Sequence, residues 1–229
     1  MSFFIALLSV IAAYLIGSVN FAVVITEKLN KVDVRNYGSG NAGTTNVLRV
    51  AGPVAGALTF VLDAVKGVLA ALLGFFVFRY LNTAYPDVSI FNPIYGEYLC
   101  GVVCCVGHCW PIFFSFKGGK AAATSLGVFS VCCPVAMGVG LILFIITMII
   151  TRTVSLGSLI GISIALITTV ILNCFNIFGY GIYGGEQVNC LVIALFCIMQ
   201  EFIVVYRHKE NIKRIMNGTE KKLSVKRSK

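Results

Sequence analysis

AAATSLGVFSVCCPVAMGVGLILFIITMIIT, residues 121–151, carries no charged side chain and is bracketed by Lys120 and Arg152. If basic residues flank the inner ends of membrane spans, both brackets belong on the same side of a bilayer, and the stretch must cross twice. Its 31 residues give about 46 Å of helix, less than two spans of roughly 20 residues each. One member of the pair is therefore predicted to be short or re-entrant, with Pro134 near the turn.

The rest of the chain reads the same way. Of 229 residues, 58% are hydrophobic and 12% charged, and a mean hydropathy of +0.92 excludes an ordinary soluble domain. Further apolar runs cover 3–26, 52–78, 98–116, 156–176 and 189–206. Lys28, Lys31, Arg35 and Arg49 follow the first run, Lys117 and Lys120 the third, and nine basic residues fill the tail from Arg207. The connector LNTAYPDVSIFNPIYGE has Asp87 and Glu97 but no Lys or Arg, and it is placed outside with the turn-rich FGYGIYGGEQ, residues 178–187.

The expectation is an all-α integral membrane protein, a bundle of seven short transmembrane helices with the N-terminus outside and the C-terminus cytoplasmic. Residues 1–206 form the membrane domain, with cytoplasmic motif loops at 35–49, 116–124 and 151–158, and residues 207–229 form a basic cytoplasmic tail. Sixteen of the 18 basic residues then lie in cytoplasmic segments, with only Lys66 and Arg79 elsewhere. The net charge of +9 is explained by that placement, so nucleic acid is not an expected partner.

The nine cysteines do not read as a disulfide framework, because seven fall in predicted spans and Cys132 and Cys133 lie beside the predicted turn. They read as small apolar packing. With no CxxC pair, no metal site is expected. The N-terminal run has no Lys or Arg before Glu27 and no small-residue cleavage site ahead of a soluble chain, so no removed signal peptide is expected.

Chemistry is sought where polar residues gather on the inside. Residues 38–49, GSGNAGTTNVLR, place Gly38, Gly40 and Gly43 so that successive backbone N–H groups can converge on an anion, with Ser39, Asn41, Thr44 and Thr45 as further donors. The glycine spacing fits a dinucleotide fingerprint only formally, since no strand precedes it. Residues 116–124, FKGGKAAAT, set Gly118 and Gly119 between Lys117 and Lys120, ahead of a predicted helix N-terminus. Two such cradles on one face suggest a substrate pair with two phosphates.

Asp63 and Lys66 are spaced i, i+3 in a predicted span and can pair there. His108, near the inner end of its span, reads as a helix-packing hydrogen-bond donor, with a general base as the other reading. His208 and Asn211 share a helical face where the last span meets the cytoplasm. An imidazole there can orient or deprotonate a substrate hydroxyl.

GSGNAGTTNVLRVAG, then GH followed by PIFFSFKGGKAAAT, then VSLGS, then RHKENIKRIMNGTE, in that order over essentially the whole chain, resemble the PlsY family of bacterial acyl-phosphate:glycerol-3-phosphate acyltransferases. The resemblance implies a seven-helix enzyme of the bacterial plasma (inner) membrane, with its active site on the cytoplasmic side. It would convert acyl phosphate and glycerol 3-phosphate to 1-acyl-glycerol 3-phosphate (lysophosphatidate) and phosphate, without cofactor or metal. The upstream enzyme that forms acyl phosphate is an implied partner, as is the lipid bilayer.

Carried onto this sequence, the resemblance makes Ser39 and Arg49 essential and gives Gly118 and Gly119 to the glycerol-3-phosphate site, with Lys120 as phosphate partner. It makes His208 and Asn211 important for activity, turns Ser155 toward the substrates, and assigns a structural glutamate that is either Glu210 or Glu220. AAAT is more alanine-rich than the family form, which touches only fine packing. The His-x4-Asp pair of soluble-donor acyltransferases is missing, since Phe113 and Lys213 stand where the aspartate would be. The rival class, a transporter or channel, is disfavoured because the polar motifs gather at one face and no inverted repeat is present.

Overall fold

The computed structural model of the chain describes residues 1–175, 177 and 188–223. FGYGIYGGEQ and the end of the basic tail, with Lys226, Arg227 and Lys229, lie outside the described residues. Among those described, the regular structure is helical, without strands. The helices are α1 (Ser2–Ser18), α2 (Phe21–Asn30), α3 (Thr44–Ala84), α4 (Pro93–Cys109), α5 (Ala122–Cys132), α6 (Pro134–Thr151), α7 (Val154–Cys174), α8 (Cys190–Arg207) and α9 (Lys209–Met216). Among the described residues, six segments can cross a membrane by length and composition: Ser2–Asn30, Thr44–Ala84, Pro93–Phe114, Pro134–Thr151, Val154–Cys174 and Cys190–Arg207. The chain is a multi-pass membrane protein.

The uncharged stretch 121–151 is a short helix followed by a long one. α5 ends at Cys132 and α6 starts at Pro134, whose missing N–H costs nothing at a first helical position. The 3–26 run departs from expectation, because it is two helices and not one. The break has a local cause: the Asn20 side chain caps α2 by accepting from Val23 N at 3.3 Å, and the Val19 carbonyl, in the break, accepts from Lys66 Nζ at 2.8 Å. In α3 the backbone bends at Gly52, whose φ of 85° sits ahead of Pro53, so the predicted span start coincides with a kink and the preceding motif residues are already helical.

Small residues set the helix spacing. A Cβ on Gly74 would lie 2.0 Å from the Gly96 carbonyl oxygen, which brings the backbones of α3 and α4 into contact. A Cβ on Gly127 would lie 1.9 Å from the Ala64 carbonyl oxygen, which does the same for α3 and α5. Outward-facing Leu69, Phe76, Ile149 and Phe202 are exposed, as a lipid-facing surface requires. Inside, Gln200 donates to Ser125 Oγ at 2.6 Å and Ser163 to Glu201 Oε1 at 2.6 Å, polar ties from α8 to α5 and α7.

One expectation is corrected. Cys174 and Cys190 form a disulfide, while the other seven cysteines are free and buried. α7 ends and α8 begins side by side, which sets the two Cα atoms 5.3 Å apart. Spacing along the chain could not reveal that adjacency. Near this end Asn189 N donates to Tyr95 Oη at 2.9 Å, and the motif loops lie at the other end of the bundle.

Candidate active site

The four motif segments line one cavity of about 1180 Å³ at a single end of the bundle. Its mouth is polar, and it continues between α5, α6 and α7 along Leu126, Met137, Leu141, Phe144, Met148 and Ile162.

The glycine loop before α3 is built around Asn46. Its Nδ2 donates to the carbonyls of Val34 and Tyr37 at 3.0 and 2.9 Å, and its Oδ1 accepts from Ser39 N at 2.8 Å. Gly38 and Gly40 have φ of 66° and 71°, the left-handed region where a side chain is strained. At Gly38 a Cβ would also sit 2.2 Å from Asn46 Oδ1. Gly43 caps α3 from the extended region, and Arg49 follows in the second turn, exposed at the cavity mouth. Asn46 is only 1% exposed. Asn46→Ala is expected to strand these main-chain groups at about 1–3 kcal/mol, read as faster amide hydrogen exchange at Ser39 and its neighbours.

Arg35 fastens this loop to the segment after α4. It pairs with Asp33 at 2.7 Å and donates to the Phe114 carbonyl at 2.9 Å. The Arg35 guanidinium hydrogen-bonded to Asp33 holds that carboxyl below its usual range.

The KGG loop is fastened by Arg207, the last residue of α8. Its Nε donates to the Gly119 carbonyl and a terminal nitrogen to the Gly118 carbonyl, each at 2.9 Å, while its guanidinium lies 5.4 Å from the Trp110 ring centroid. With both carbonyls so engaged, and Gly119 N donating to the His108 carbonyl at 3.1 Å, the loop is held on both edges and delivers Lys120 to the cavity.

Lys120 Nζ donates to Asn211 Oδ1. Asn211 Nδ2 donates in turn to Ser155 Oγ at 2.9 Å and to Glu220 Oε1 at 2.6 Å. Ser155 Oγ also donates to Glu220 Oε1, and Arg214 Nε meets Glu220 Oε2 at 2.7 Å. The network ties the α5 entry, α7, α9 and the tail together, and of the two glutamates named from sequence it contains Glu220. Glu210 is exposed on α9.

Burial, with Arg214, Arg207 and Arg49 nearby, pulls the Lys120 ammonium down to about 8 against the opposing pull of Glu220. Burial would raise the Glu220 carboxyl, but the hydrogen bonds from Ser155, Arg214 and Asn211 outweigh it and lower it. His208 is 3% exposed. Burial and the Lys120 charge pull its imidazole down to about 4. Its Nδ1 lies 2.8 Å from the Val204 carbonyl, so that nitrogen carries the proton of the neutral ring and Nε2 keeps a lone pair.

Of the residues singled out from sequence, Gly38, Ser39, Gly40, Asn41, Gly43, Thr45, Arg49, Gly118, Lys120, Ser155, His208 and Asn211 line the cavity, with Asp63, Glu210 and Glu220. Gly119 and Lys66 do not line it. Lys66 turns to Asp63, 2.8 Å away, and to the Val19 carbonyl. Asn46, Arg35 and Arg207 escaped the sequence reading. For Arg207 the available signal was its place directly before His208, and for Asn46 its place in the polar run ahead of the second predicted span.

A family model described as glycerol-3-phosphate acyltransferase matches residues 7–218. A glycerol-3-phosphate acyltransferase of Thermoanaerobacter pseudethanolicus is 39% identical over 223 residues, covering 96% of this chain and 97% of its own. One from Clostridioides difficile is 37% identical over 227 residues, covering 99% and 100%. Two crystal structures of PlsY (YgiH), an integral membrane glycerol 3-phosphate acyltransferase, superpose on the fold. The glycerol 3-phosphate form has a TM-score of 0.72 at 34% identity, with 96% of each chain covered. The lysophosphatidic acid form has a TM-score of 0.69 at 32%, covering 96% of this chain and 95% of the other. Agreement of sequence along almost the full length with agreement of fold places this chain in the PlsY family of glycerol-3-phosphate acyltransferases.

Proposed function

We propose that the chain transfers a fatty acyl group from acyl phosphate to glycerol 3-phosphate, giving 1-acyl-glycerol 3-phosphate and inorganic phosphate for phospholipid synthesis. The observation that carries this reading is one continuous cavity with two characters. Its mouth holds Arg49, Lys120 and two glycine loops, and its depth is a groove of Met, Leu and Phe between α6 and α7. At about 1180 Å³ it exceeds the roughly 300–1,000 Å³ usual for one small ligand, which suits a long-chain donor and a polyol phosphate held together. Related structures were obtained with glycerol 3-phosphate and with lysophosphatidic acid.

The chemistry needs alignment and charge neutralisation more than a nucleophile, because phosphate is a good leaving group. The glycerol hydroxyl oxygen bonds to the acyl carbon, and the bond from that carbon to the phosphate oxygen breaks, its electron pair leaving with phosphate. Arg49 and Lys120, with the loop amides and Ser39, balance the developing negative charge. The hydroxyl proton goes to His208 Nε2 or to a substrate phosphate oxygen. An imidazole pulled down to about 4 is the weaker base, whereas a phosphate monoester takes its second proton near pH ~6, so the phosphate oxygen is the better acceptor and His208 the orienting group.

The basic residues around the cavity support a cytoplasmic placement of this end in a bacterial plasma membrane. That gives seven crossings with α5 as the short one, the N-terminus outside and the C-terminus inside. The Cys174–Cys190 disulfide at the other end suits an oxidising exterior.

Purified full-length chain given palmitoyl phosphate and glycerol 3-phosphate is expected to release phosphate in step with lysophosphatidate. Acyl transfer only from a thioester donor would overturn the donor assignment, and a covalent acyl-Ser39 trapped with acyl phosphate alone would overturn direct transfer. The pH profile has a definite sign. Lys120 is charged below about 8 and loses its proton above it, so kcat/KM for glycerol 3-phosphate falls on the alkaline side of about pH 8. Since His208 stays neutral down to about 4, the acid limb follows the substrate phosphate near pH ~6. Rates measured from pH 5 to 10 check both limbs.

A further inference from the structure

Beneath the KGG loop lies a buried polar chain that the proposed mechanism does not use. Asp63 of α3 and His108 of α4 line the cavity floor and are 2% and 5% exposed. Asp63 Oδ1 is 2.8 Å from Lys66 Nζ and 3.5 Å from His108 Nδ1. Lys66 continues the chain to the Val19 carbonyl in the break between α1 and α2. The imidazole turns its Nδ1 edge to Asp63, at ion-pair distance without a hydrogen bond, and its other nitrogen, Nε2, to the loop.

The fit between that nitrogen and the loop is close. A Cβ on Gly119 would stand 2.1 Å from His108 Nε2 and 2.7 Å from the Ala42 carbonyl oxygen, and one on Gly118 would stand 2.0 Å from the His108 carbonyl oxygen. Gly119 N donates to that same carbonyl at 3.1 Å. Neither glycine has a positive φ, so backbone conformation does not call for them. The space taken by His108 does. Arg207 holds the loop from the carbonyl side and His108 supports it from below, and a loop gripped from two sides cannot drift from the geometry a phosphate meets.

Resting on the reading of this cavity as a glycerol-3-phosphate site, we propose that His108 is a positioning residue for glycerol 3-phosphate: its ring, set beside Asp63, packs Nε2 under Gly119, and the propped loop holds Lys120 where it meets the phosphate. Lys66 keeps Asp63 from being a lone buried charge. His108 acts through the loop and takes no part in acyl transfer itself.

The test exploits the two ring nitrogens. Asn at position 108 places its amide near Nδ1, keeping the contact with Asp63 but leaving a gap under Gly119. Gln places its amide near Nε2 and restores the prop. Equilibrium binding of glycerol 3-phosphate to purified full-length protein, measured without acyl donor, is expected to weaken about 10-fold in His108→Asn. His108→Gln is expected to stay within about 3-fold of the parent. KM for glycerol 3-phosphate should move with the binding constant while kcat holds.

The reverse ranking, Asn harmless and Gln weak, would show that the residue serves only Asp63 and would overturn the proposal. So would unchanged binding in both variants, or equal losses in both that track a fall in thermal midpoint. Because binding is read without acyl donor, a parent protein that binds glycerol 3-phosphate yet ignores palmitoyl phosphate would refute the donor assignment and leave the prop standing. A parent that does not bind glycerol 3-phosphate would remove both.

Discussion

Lys120→Ala is expected to lower kcat/KM for glycerol 3-phosphate by about 10²- to 10³-fold, the cost typical of removing one preorganised donor from a developing charge. Lys120 is the residue where two structural systems meet. It follows the Gly118–Gly119 pair directly, and its ammonium donates to Asn211, the hub that holds Ser155 and Glu220. Alanine takes the cation from the cavity mouth and leaves Asn211 Oδ1 without that donor, so both phosphate attraction and tail docking weaken. The alkaline limb near pH 8 should vanish from the residual activity, since the group that titrates there is gone. Lys28→Ala, in an exposed residue away from the cavity, should leave the rate within about twofold, because a lone surface charge contributes little. Phosphate release at varied glycerol 3-phosphate, for both variants, measures the contrast. An intact alkaline limb in Lys120→Ala would assign the titration to another group.

Gly127→Val is expected to be the most damaging single change in the membrane region. Its Cβ alone would stand 1.9 Å from the Ala64 carbonyl oxygen, a main-chain atom of α3 that has no rotamer to swing aside. The reciprocal contact is as tight, since a Cβ on Gly67 would lie 2.3 Å from the Thr124 carbonyl oxygen. Adding a branched side chain forces α5 off α3 at a cost of about 3 kcal/mol or more. α5 begins two residues after Lys120, so displacement of the helix is displacement of the site. A thermal midpoint in detergent lowered by several degrees, together with loss of turnover, is the expected pair of results. Gly138→Val on α6 is the control, because nothing lies within 4 Å of its added Cβ. A stable, active Gly127→Val would mean that the α3–α5 contact does not govern the site.

Much of this architecture is legible along the chain because the bilayer imposes a simple rule on sequence. A crossing helix must be apolar for roughly 20 residues, so long runs and their basic flanks can be read off directly. Lys120 and Arg152 alone predict a double pass over 121–151, and a short helix and a long one do meet there beside Pro134. Three elements were not legible for three different reasons. The break at Val19 depends on an ammonium from residue 66, 47 positions away, accepting custody of a carbonyl that hydropathy cannot register. The Cys174–Cys190 bond depends on two helix ends becoming neighbours. The role of Arg207 depends on its facing two carbonyls 88 and 89 residues earlier, which charge counting files as one more basic tail residue.

The sequence by itself determined the membrane class, most of the long apolar helices and the four polar segments that line one cavity, because hydrophobicity, charge bias and glycine placement are local properties written residue by residue. It could offer Glu210 and Glu220 as equals, His108 as a packing group and Asn46 as nothing in particular. Only the tertiary structure placed Glu220 in the network around Asn211, set His108 beneath Gly119 and put Asn46 at the centre of the glycine loop. Those assignments turn on which polar atoms find one another across helices in a medium that leaves few other partners, and that pairing exists only once the bundle has closed.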